Sequence, residues 1–444
     1  MKKAFLFNLF LLFSISAIAN QVTVYNENFS LIRTNINLKL NQGLQDYYYE
    51  DIPSTIEPKS VIFSSPNTNL QIFSQNYEYD LANAEQIMQK YINEKVEITT
   101  DEEHLFCGIL QFSHTSTIGI IEDTTQKLIL INREEIRNIT LAKLPANFYL
   151  KPTLHWQLSA PKKSDYKAEL TYLCGGMKWD ATYNCVWNPK TKKLQMNSWV
   201  TLKNYSGKSF EDVKLKLIAG DVKRARYRGQ MISSDDSFTR KALAAPEFSE
   251  KEFHDFHLYT LDKNISIANK QIKQLQLFPS LLIKAKQKYE YITHSTKIAS
   301  IISFTNSQKS GLGLALPKGT MKIYQKDDDD NNLEFIGEDF IEHTPIDEEI
   351  DITTGNAFDI TGKTIIKSSK KISNKIREKT ISVLLSNSSK QAKTIDVIHH
   401  LSGNWEILSH NLNYEKIDAY RIKFQKKLAA NEKFEIIWTE RSKY

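Results

Sequence analysis

The chain reads as mainly β and multi-domain, with Ig-like β-sandwich modules and a small Sm-like barrel inserted near its beginning. Three observations predict this. Short apolar runs of period two recur along most of the 444 residues. Aromatic residues make up 11%, mostly Tyr and Phe, which suit strands. An Asn-bearing polar turn between apolar strands also returns at domain-sized intervals.

Residues 1–19 have the three parts of an export signal. Lys2 and Lys3 precede an apolar run from Ala4 to Phe13, and Ala17-Ile18-Ala19 fits the small-x-small cleavage rule. The run is about ten residues long, half of the roughly 20 that a bilayer span needs, so cleavage to leave Asn20 or Gln21 is expected. No cysteine near that point suggests a lipid anchor, and no later segment reads as a transmembrane helix. The expected location is the periplasm or the outside of the cell. The formal charge of +6 becomes +4 once Lys2 and Lys3 leave, with both signs scattered along the chain. Lys223-Arg224-Ala225-Arg226-Tyr227-Arg228 is the densest basic stretch; in an exported chain it reads as a solvated loop, and no nucleic-acid partner is expected.

Residues 20–80 form an N-terminal β segment, with runs at Val22-Val24, Phe29-Leu31, Ile36-Leu40, Val61-Phe63 and Leu70-Ile72. Residues 81–145 change character. Leu81, Ile87, Met88, Tyr91 and Ile92 give a helix over 81–92, followed by apolar runs at Val96-Ile98, Leu105-Leu110, Ile118-Ile121, Leu128-Ile131 and Ile136-Ile139. A helix and five tightly spaced strands resemble a small Sm-like barrel.

Strands then return in three expected modules, 146–290, 291–375 and 376–444. The recurring turn is Trp199-Val-Thr-Leu-Lys-Asn204-Tyr-Ser-Gly207, Ile302-Ser-Phe-Thr-Asn306-Ser-Gln308 and Val383-Leu-Leu-Ser-Asn387-Ser-Ser389. Its spacings of 102 and 81 residues suit equivalent hairpins in successive sandwiches or one large β array. Residues 226–250 read as a long mobile loop, and the Lys- and Ser-rich stretch 363–379 as a connector between the last two modules.

The run Ala168-Glu-Leu-Thr-Tyr-Leu-Cys-Gly-Gly-Met-Lys-Trp-Asp-Ala-Thr-Tyr183 resembles a signature of the bacterial family called domain of unknown function 4139. The resemblance continues through Trp199-Val-Thr-Leu202, Leu215 to Val222, His257 to Leu261 and Gly311 to Pro317. It is sharpest at Phe335-Ile-Gly-Glu-Asp-Phe-Ile-Glu-His-Thr-Pro345, followed by Ala357-Phe-Asp359. Together these segments span about residues 167–439. The resemblance implies an exported β-rich protein without an agreed activity.

Several groups carry candidate chemistry. Glu338, Asp339, Glu342 and His343 could share acid–base work or hold a metal, although a strand sets Asp339 and His343 on one face and the glutamates on the other. Asp327, Asp329, Asn331 and Glu338 have calcium-loop spacing, but Asn332 stands where such loops carry Gly, so a solvated hairpin turn competes with a weak calcium contact. Asp221 and Arg224 could face a substrate or pair structurally. Cys174 and Cys185 flank Gly175-Gly176 and could bridge if their strands are neighbours; two free thiols are equally open. Cys107 reads as a buried thiol. Most of the six tryptophans read as core, with an open aromatic face for a glycan as the alternative.

No phosphate loop, dinucleotide fingerprint, Gly-x-Ser-x-Gly or His-Glu-x-x-His occurs, and no cofactor is expected. The leading functional expectation is a non-catalytic binding or structural protein of the cell envelope, with a protein or glycan partner. The competing one is a hydrolase, with or without a metal, centred on Asp339 and His343.

Overall fold

A computed structural model describes residues 20–66, 68–79, 84–142, 149, 151–220, 222–224 and 248–443. The expected signal, Asp221, Ala225 to Arg228 of the basic stretch and 226–247 of the expected loop lie outside them. Within them the chain is mainly β, with strands arranged in six sheets and one α-helix, Ala84–Lys90. No helix among the described residues is long and apolar enough to cross a membrane.

Period-two alternation accounts for the strands. In Met177–Asn188 every second residue from Met177 to Trp187 is buried, and Lys193–Asn204 repeats the pattern from Leu194. Phe29-Leu31 and Ile36-Leu40, read separately in the sequence, belong to one strand, Phe29–Leu40.

Three sheets share one pairing plan. In the first, Gln21–Tyr25 pairs antiparallel with Phe29–Leu40 and parallel with Phe210–Ala219, which pairs antiparallel with Phe256–Leu261. In the second, Met177–Asn188 does the same with Lys193–Asn204, Gly319–Lys326 and, beyond it, Leu333–Ile341. In the third, Lys286–Ile292 pairs with Ile298–Thr305 and Lys393–His400, which pairs with Arg421–Leu428. A fourth sheet is ordered Ile360–Lys371, Ile376–Asn387, Lys433–Lys443, Asn404–His410.

The recurring Asn turns lead into the three strands that pair in parallel. Asn204 ends a strand of the second sheet before the chain enters the first. Asn306 follows a strand of the third before the chain enters the second, and Asn387 ends a strand of the fourth before the chain enters the third. The turns are therefore corners between sheets, not the hairpins expected. Each Asn is buried to within 1% and bonded to backbone from both ends of its amide, which satisfies the carbonyls and amides that the ladder gives up at a corner.

One apolar core runs from Val22 to Ile352 and takes side chains from the first three sheets and from a three-stranded sheet formed by Gly43–Tyr49, Thr153–Ala160 and Gln71–Glu78. A second core lies between the third and fourth sheets, around Tyr291, Val383, Phe424 and Trp438. The third sheet thus supplies both, Ile302, Phe304, Ile350 and Ile352 to the first core and Tyr291, Val397 and Phe424 to the second. The boundary drawn at 290/291 falls inside the strand Lys286–Ile292.

The helix and the five expected strands are all present. They are Lys95–Thr100, Leu105–Ser113, Thr117–Glu122, Leu128–Asn132 and Ile136–Leu141, with the last strand beside the first. Their core, around Met88, Tyr91, Ile98, Leu110 and Ile120, is separate from the others. Gly108 lets this sheet close up, because a Cβ there would sit 2.2 Å from the carbonyl oxygen of Ile121. The unit interrupts the three-stranded sheet between two strands already paired at Glu78 and Thr153.

Two further expectations are corrected. The stretch 363–379 is no connector: it lies in a hairpin of Ile360–Lys371 and Ile376–Asn387, whose Lys and Ser side chains occupy largely exposed strand positions. Its composition marked an exposed sheet, not a break in the ladder. The Cys174–Cys185 bridge is also not formed, and all three cysteines are free. After Gly175-Gly176 the chain passes into another sheet instead of folding back, so Cys185 lies eight residues along a strand that does not pair with that of Cys174. The turn is tight at Gly176 (φ +76°), where a Cβ would meet the carbonyl oxygen of Tyr205 at 2.6 Å.

Candidate binding surface

The strand Leu333–Ile341 carries the sharpest part of the resemblance and forms a joint between the second and third sheets. It pairs with Gly319–Lys326, while Glu349–Asn356 belongs to the third sheet. At the joint Gly337 comes so close that a Cβ would lie 2.3 Å from the carbonyl oxygen of Thr354. Its φ of +151° also favours glycine. One turn of the ladder further on, Asp339 accepts the amides of Phe340 at 2.9 Å and Thr353 at 3.0 Å, one on each carboxylate oxygen. Asp339 therefore ties the two sheets together.

This placement reassigns the polar cluster. Glu338 faces Lys322 across the ladder at 3.8 Å. The Nδ1 atom of His343 accepts the amide of Lys318 at 3.2 Å, which puts the proton of the neutral ring on Nε2. The carbonyl of Glu342 accepts the Thr344 hydroxyl. Among the described residues no group of three or more His, Cys, Asp or Glu is placed to hold a metal. Asp327, Asp329 and Asn331 lie in the exposed turn of the hairpin joining Gly319–Lys326 to Leu333–Ile341. There Asp327 accepts the amide of Asp329 through its side chain and that of Asn331 through its carbonyl. Arg224 meets Glu57 with two bonds of 2.8 and 2.7 Å and lies 4.5 Å above the Phe29 ring; Asp221 is outside the described residues.

Beyond the joint is a groove of about 350 Å³. Its polar wall combines uncharged hydrogen-bonding groups, among them Gln287, Ser300, Gln325 and Asn356, with the charged side chains of Asp359 and Lys393, and Tyr289 and Ile336 lie beside them. Phe358 lies at the groove and is 95% exposed, the most exposed large apolar side chain among the described residues. The preceding Gly355 (φ +141°) sets the bulge that turns the chain out of the strand Glu349–Asn356. Lys393 reaches over the Tyr289 ring at 5.3 Å. Ile336 and Ala357-Phe358-Asp359 come from the two segments that carry the end of the resemblance, and the fold brings them to one place.

A second cluster has the look of a catalytic relay. The Thr293 hydroxyl lies 2.8 Å from Nδ1 of His399, whose Nε2 lies 2.8 Å from Glu440. The Trp438 indole donates to the same carboxylate at 3.3 Å. Thr293 and His399 are each only 8% exposed, so the hydroxyl sits in the packed interior and not in an open cleft. The group stitches the third sheet to the fourth as a satisfied buried network. Sequence reasoning missed it, since its members are distant in the chain; the His399-His400 pair was the only local signal.

Of the tryptophans, Trp156, Trp179, Trp187 and Trp438 are core residues, as expected for most of them. Trp199 instead lies half-buried on the outer face of the second sheet, between Thr182 and Gln276. No model of a known protein family matches the chain, and no curated protein matches it.

Proposed function

We propose that this chain is an exported, non-catalytic binding protein of the cell envelope, whose groove beside Phe358 takes a neutral glycan chain. The observation that carries the reading is the pairing of an almost fully exposed aromatic ring with a wall in which amides and hydroxyls outnumber the single carboxylate and ammonium, Asp359 and Lys393. An aromatic face stacks on the apolar side of a sugar ring, and side-chain amides match its hydroxyls. The bonding of Asp339 and His343 to backbone amides supports binding over hydrolysis at those residues. The ordered resemblance over 167–439 supports kinship with the domain of unknown function 4139 proteins, and the helix with five strands supports an Sm-like unit. Ig-like modules agree with the repeated pairing plan.

The test is affinity electrophoresis of wild type, Phe358→Ser and Asn356→Ala through gels containing neutral envelope polysaccharide, alongside pull-downs from envelope extract. Retardation of wild type that both substitutions abolish is the expected result. Identical mobility of all three in every gel overturns the glycan reading, and a protein captured equally by wild type and Phe358→Ser overturns the groove as its site. For export, Asn20 is already part of the fold: its side chain accepts the Thr34 hydroxyl at 2.9 Å and the Asn35 amide at 3.2 Å. The mature protein should therefore begin at Asn20, which its intact mass would decide; a retained segment 1–19 would contradict it.

A further inference from the structure

The hairpin of Ile360–Lys371 and Ile376–Asn387 ends in a concentrated basic surface. Residues 363–379 hold seven Lys and Arg against one acid, Glu378, and Arg441 neutralises that acid with a bond of 2.8 Å. Around the turn Lys370, Lys371, Lys375 and Arg377 are exposed and have no ion-pair partner among the described residues. The acids on adjoining strands and turns are occupied elsewhere. Asp418 is held by Arg421 at 2.6 Å, Glu415 by Lys423 at 2.7 Å, and Glu440 is buried against His399. Exposed Glu406, 3.9 Å from Arg441, is the acid left to oppose the four cations.

Apolar side chains protrude at the same end of the molecule. Ile372, in the turn itself, and Tyr420 are more than half exposed, and Ile417 shares the turn of Tyr420. The ladder sets Arg377 beside Ser442 and Ser442 beside Trp405, two strand spacings or about 10 Å across. The Trp405 indole donates to the carbonyl of Ala419 at 2.7 Å, which brings the 417–420 turn to that edge.

Edge strands carry lysines to block pairing with a second chain. That accounts for Lys363 and Lys367 in Ile360–Lys371, the outermost strand of its sheet. It does not account for cations set around bare isoleucine and tyrosine, since exposed apolar side chains undo such protection. Cations around a protruding apolar tip match the two layers of an anionic bilayer surface, phosphates outside and hydrocarbon just beneath.

We propose that this end of the molecule docks on an anionic lipid bilayer. Lys370, Lys371, Lys375 and Arg377 lie among the headgroup phosphates, and Ile372, Ile417 and Tyr420 enter the interface. A soluble polyanion answers only the cations; the apolar tips select lipid. Ile360 lines the groove beside Phe358, and the strand Ile360–Lys371 runs from there to the tip, so docking holds that groove about 35 Å from the lipid. The proposal does not rest on what the groove binds.

The experiment is co-sedimentation of the mature protein with vesicles of phosphatidylcholine alone and of equal parts phosphatidylcholine and phosphatidylglycerol. Binding to the anionic vesicles only, weakening as salt rises, is expected. Each cation near an anionic leaflet contributes about fivefold, so Lys371→Gln/Lys375→Gln/Arg377→Gln should weaken binding about a hundredfold. Ile372→Ser, which leaves every charge in place, should weaken it about tenfold. All four positions are exposed, as are those of the control Lys39→Gln/Lys193→Gln/Lys284→Gln, which removes the same charge elsewhere and should bind like wild type. No binding to either vesicle, equal loss in the two triple variants, or Ile372→Ser binding like wild type overturns the proposal. In the last case, displacement by soluble polyphosphate would assign the cations to a free polyanion.

Discussion

Asn204 and Asn387 hold two corners of the molecule with the same set of bonds. Each accepts, through Oδ1, the amide and the hydroxyl of the serine two residues later, Ser206 at 3.1 and 2.7 Å and Ser389 at 3.0 and 2.7 Å. Each donates, through Nδ2, to the carbonyl four residues on and to a distant alanine carbonyl, Ala268 or Ala429. An aspartate keeps the acceptor, loses the donor and sets a buried charge against two carbonyls. Asn387→Asp and Asn204→Asp should each lower stability by about 3 kcal/mol, read from urea midpoints. A loss under about 1 kcal/mol would show that the frame is decorative.

Asp339 is expected to behave as a fastener. Asp339→Ala removes an acceptor for amides of two sheets and should cost about 1–2 kcal/mol, whereas Glu338→Gln breaks only a surface pair and should stay within about 0.5 kcal/mol. Thermal unfolding of the two variants gives the comparison. Equal, negligible effects would remove the joint as an explanation for this segment.

Thiol chemistry separates the three cysteines. Burial pushes the Cys174 thiol up to about 11, with the Ser30 hydroxyl at 3.1 Å opposing the shift, and burial raises Cys185 further still. Under mildly alkaline conditions a thiol reagent should modify half-buried Cys107 first and leave Cys174 and Cys185 unmodified until the protein unfolds. In denaturant without reductant all three should react. A count of one there would reinstate a bridge.

The same burial sets an alkaline limit. Desolvation raises the hydroxyls of Tyr172 and Tyr183 well above their ordinary 10.0, as it raises Cys174 above 9.0. In each case the folded value is the higher one, so the contribution to stability is complete below the unfolded value and is lost as pH climbs towards the folded one. Unfolding midpoints should accordingly fall from about pH 9 upward. Tyrosinate absorbance of the buried rings should appear together with loss of near-ultraviolet circular dichroism. Their ionisation well before that loss would place them at the surface.

Much of the fold was legible because alternation of apolar residues survives in single strands. All five runs of the inserted unit, and the strand around Trp438, lie where the sequence puts them. The Asn recurrence was visible too, but not its meaning, because whether a turn returns to the same sheet or crosses to another depends on partners far away. Parallel pairs such as Ala181 with Gly319 leave no local signature. The hairpin of Ile360–Lys371 was hidden by its exposure, which removes the apolar half of the pattern. At the sites, sequence order brought Asp339 and His343 together on paper, whereas the groove beside Phe358 joins Gln287, Gln325 and Asn356, which no spacing rule connects.

Glu78 and Thr153 face each other as an ordinary antiparallel pair, although a whole helix-and-sheet unit with its own core runs between them. The host sheet needs only a short loop at that point. A segment with adjoining ends can be gained, lost or exchanged by recombination without shifting the register of anything around it. The lineage of this chain can therefore include shorter proteins that keep the stacked sheets and lack the inserted unit, and laboratory fusions have a ready-made doorway at the same two residues.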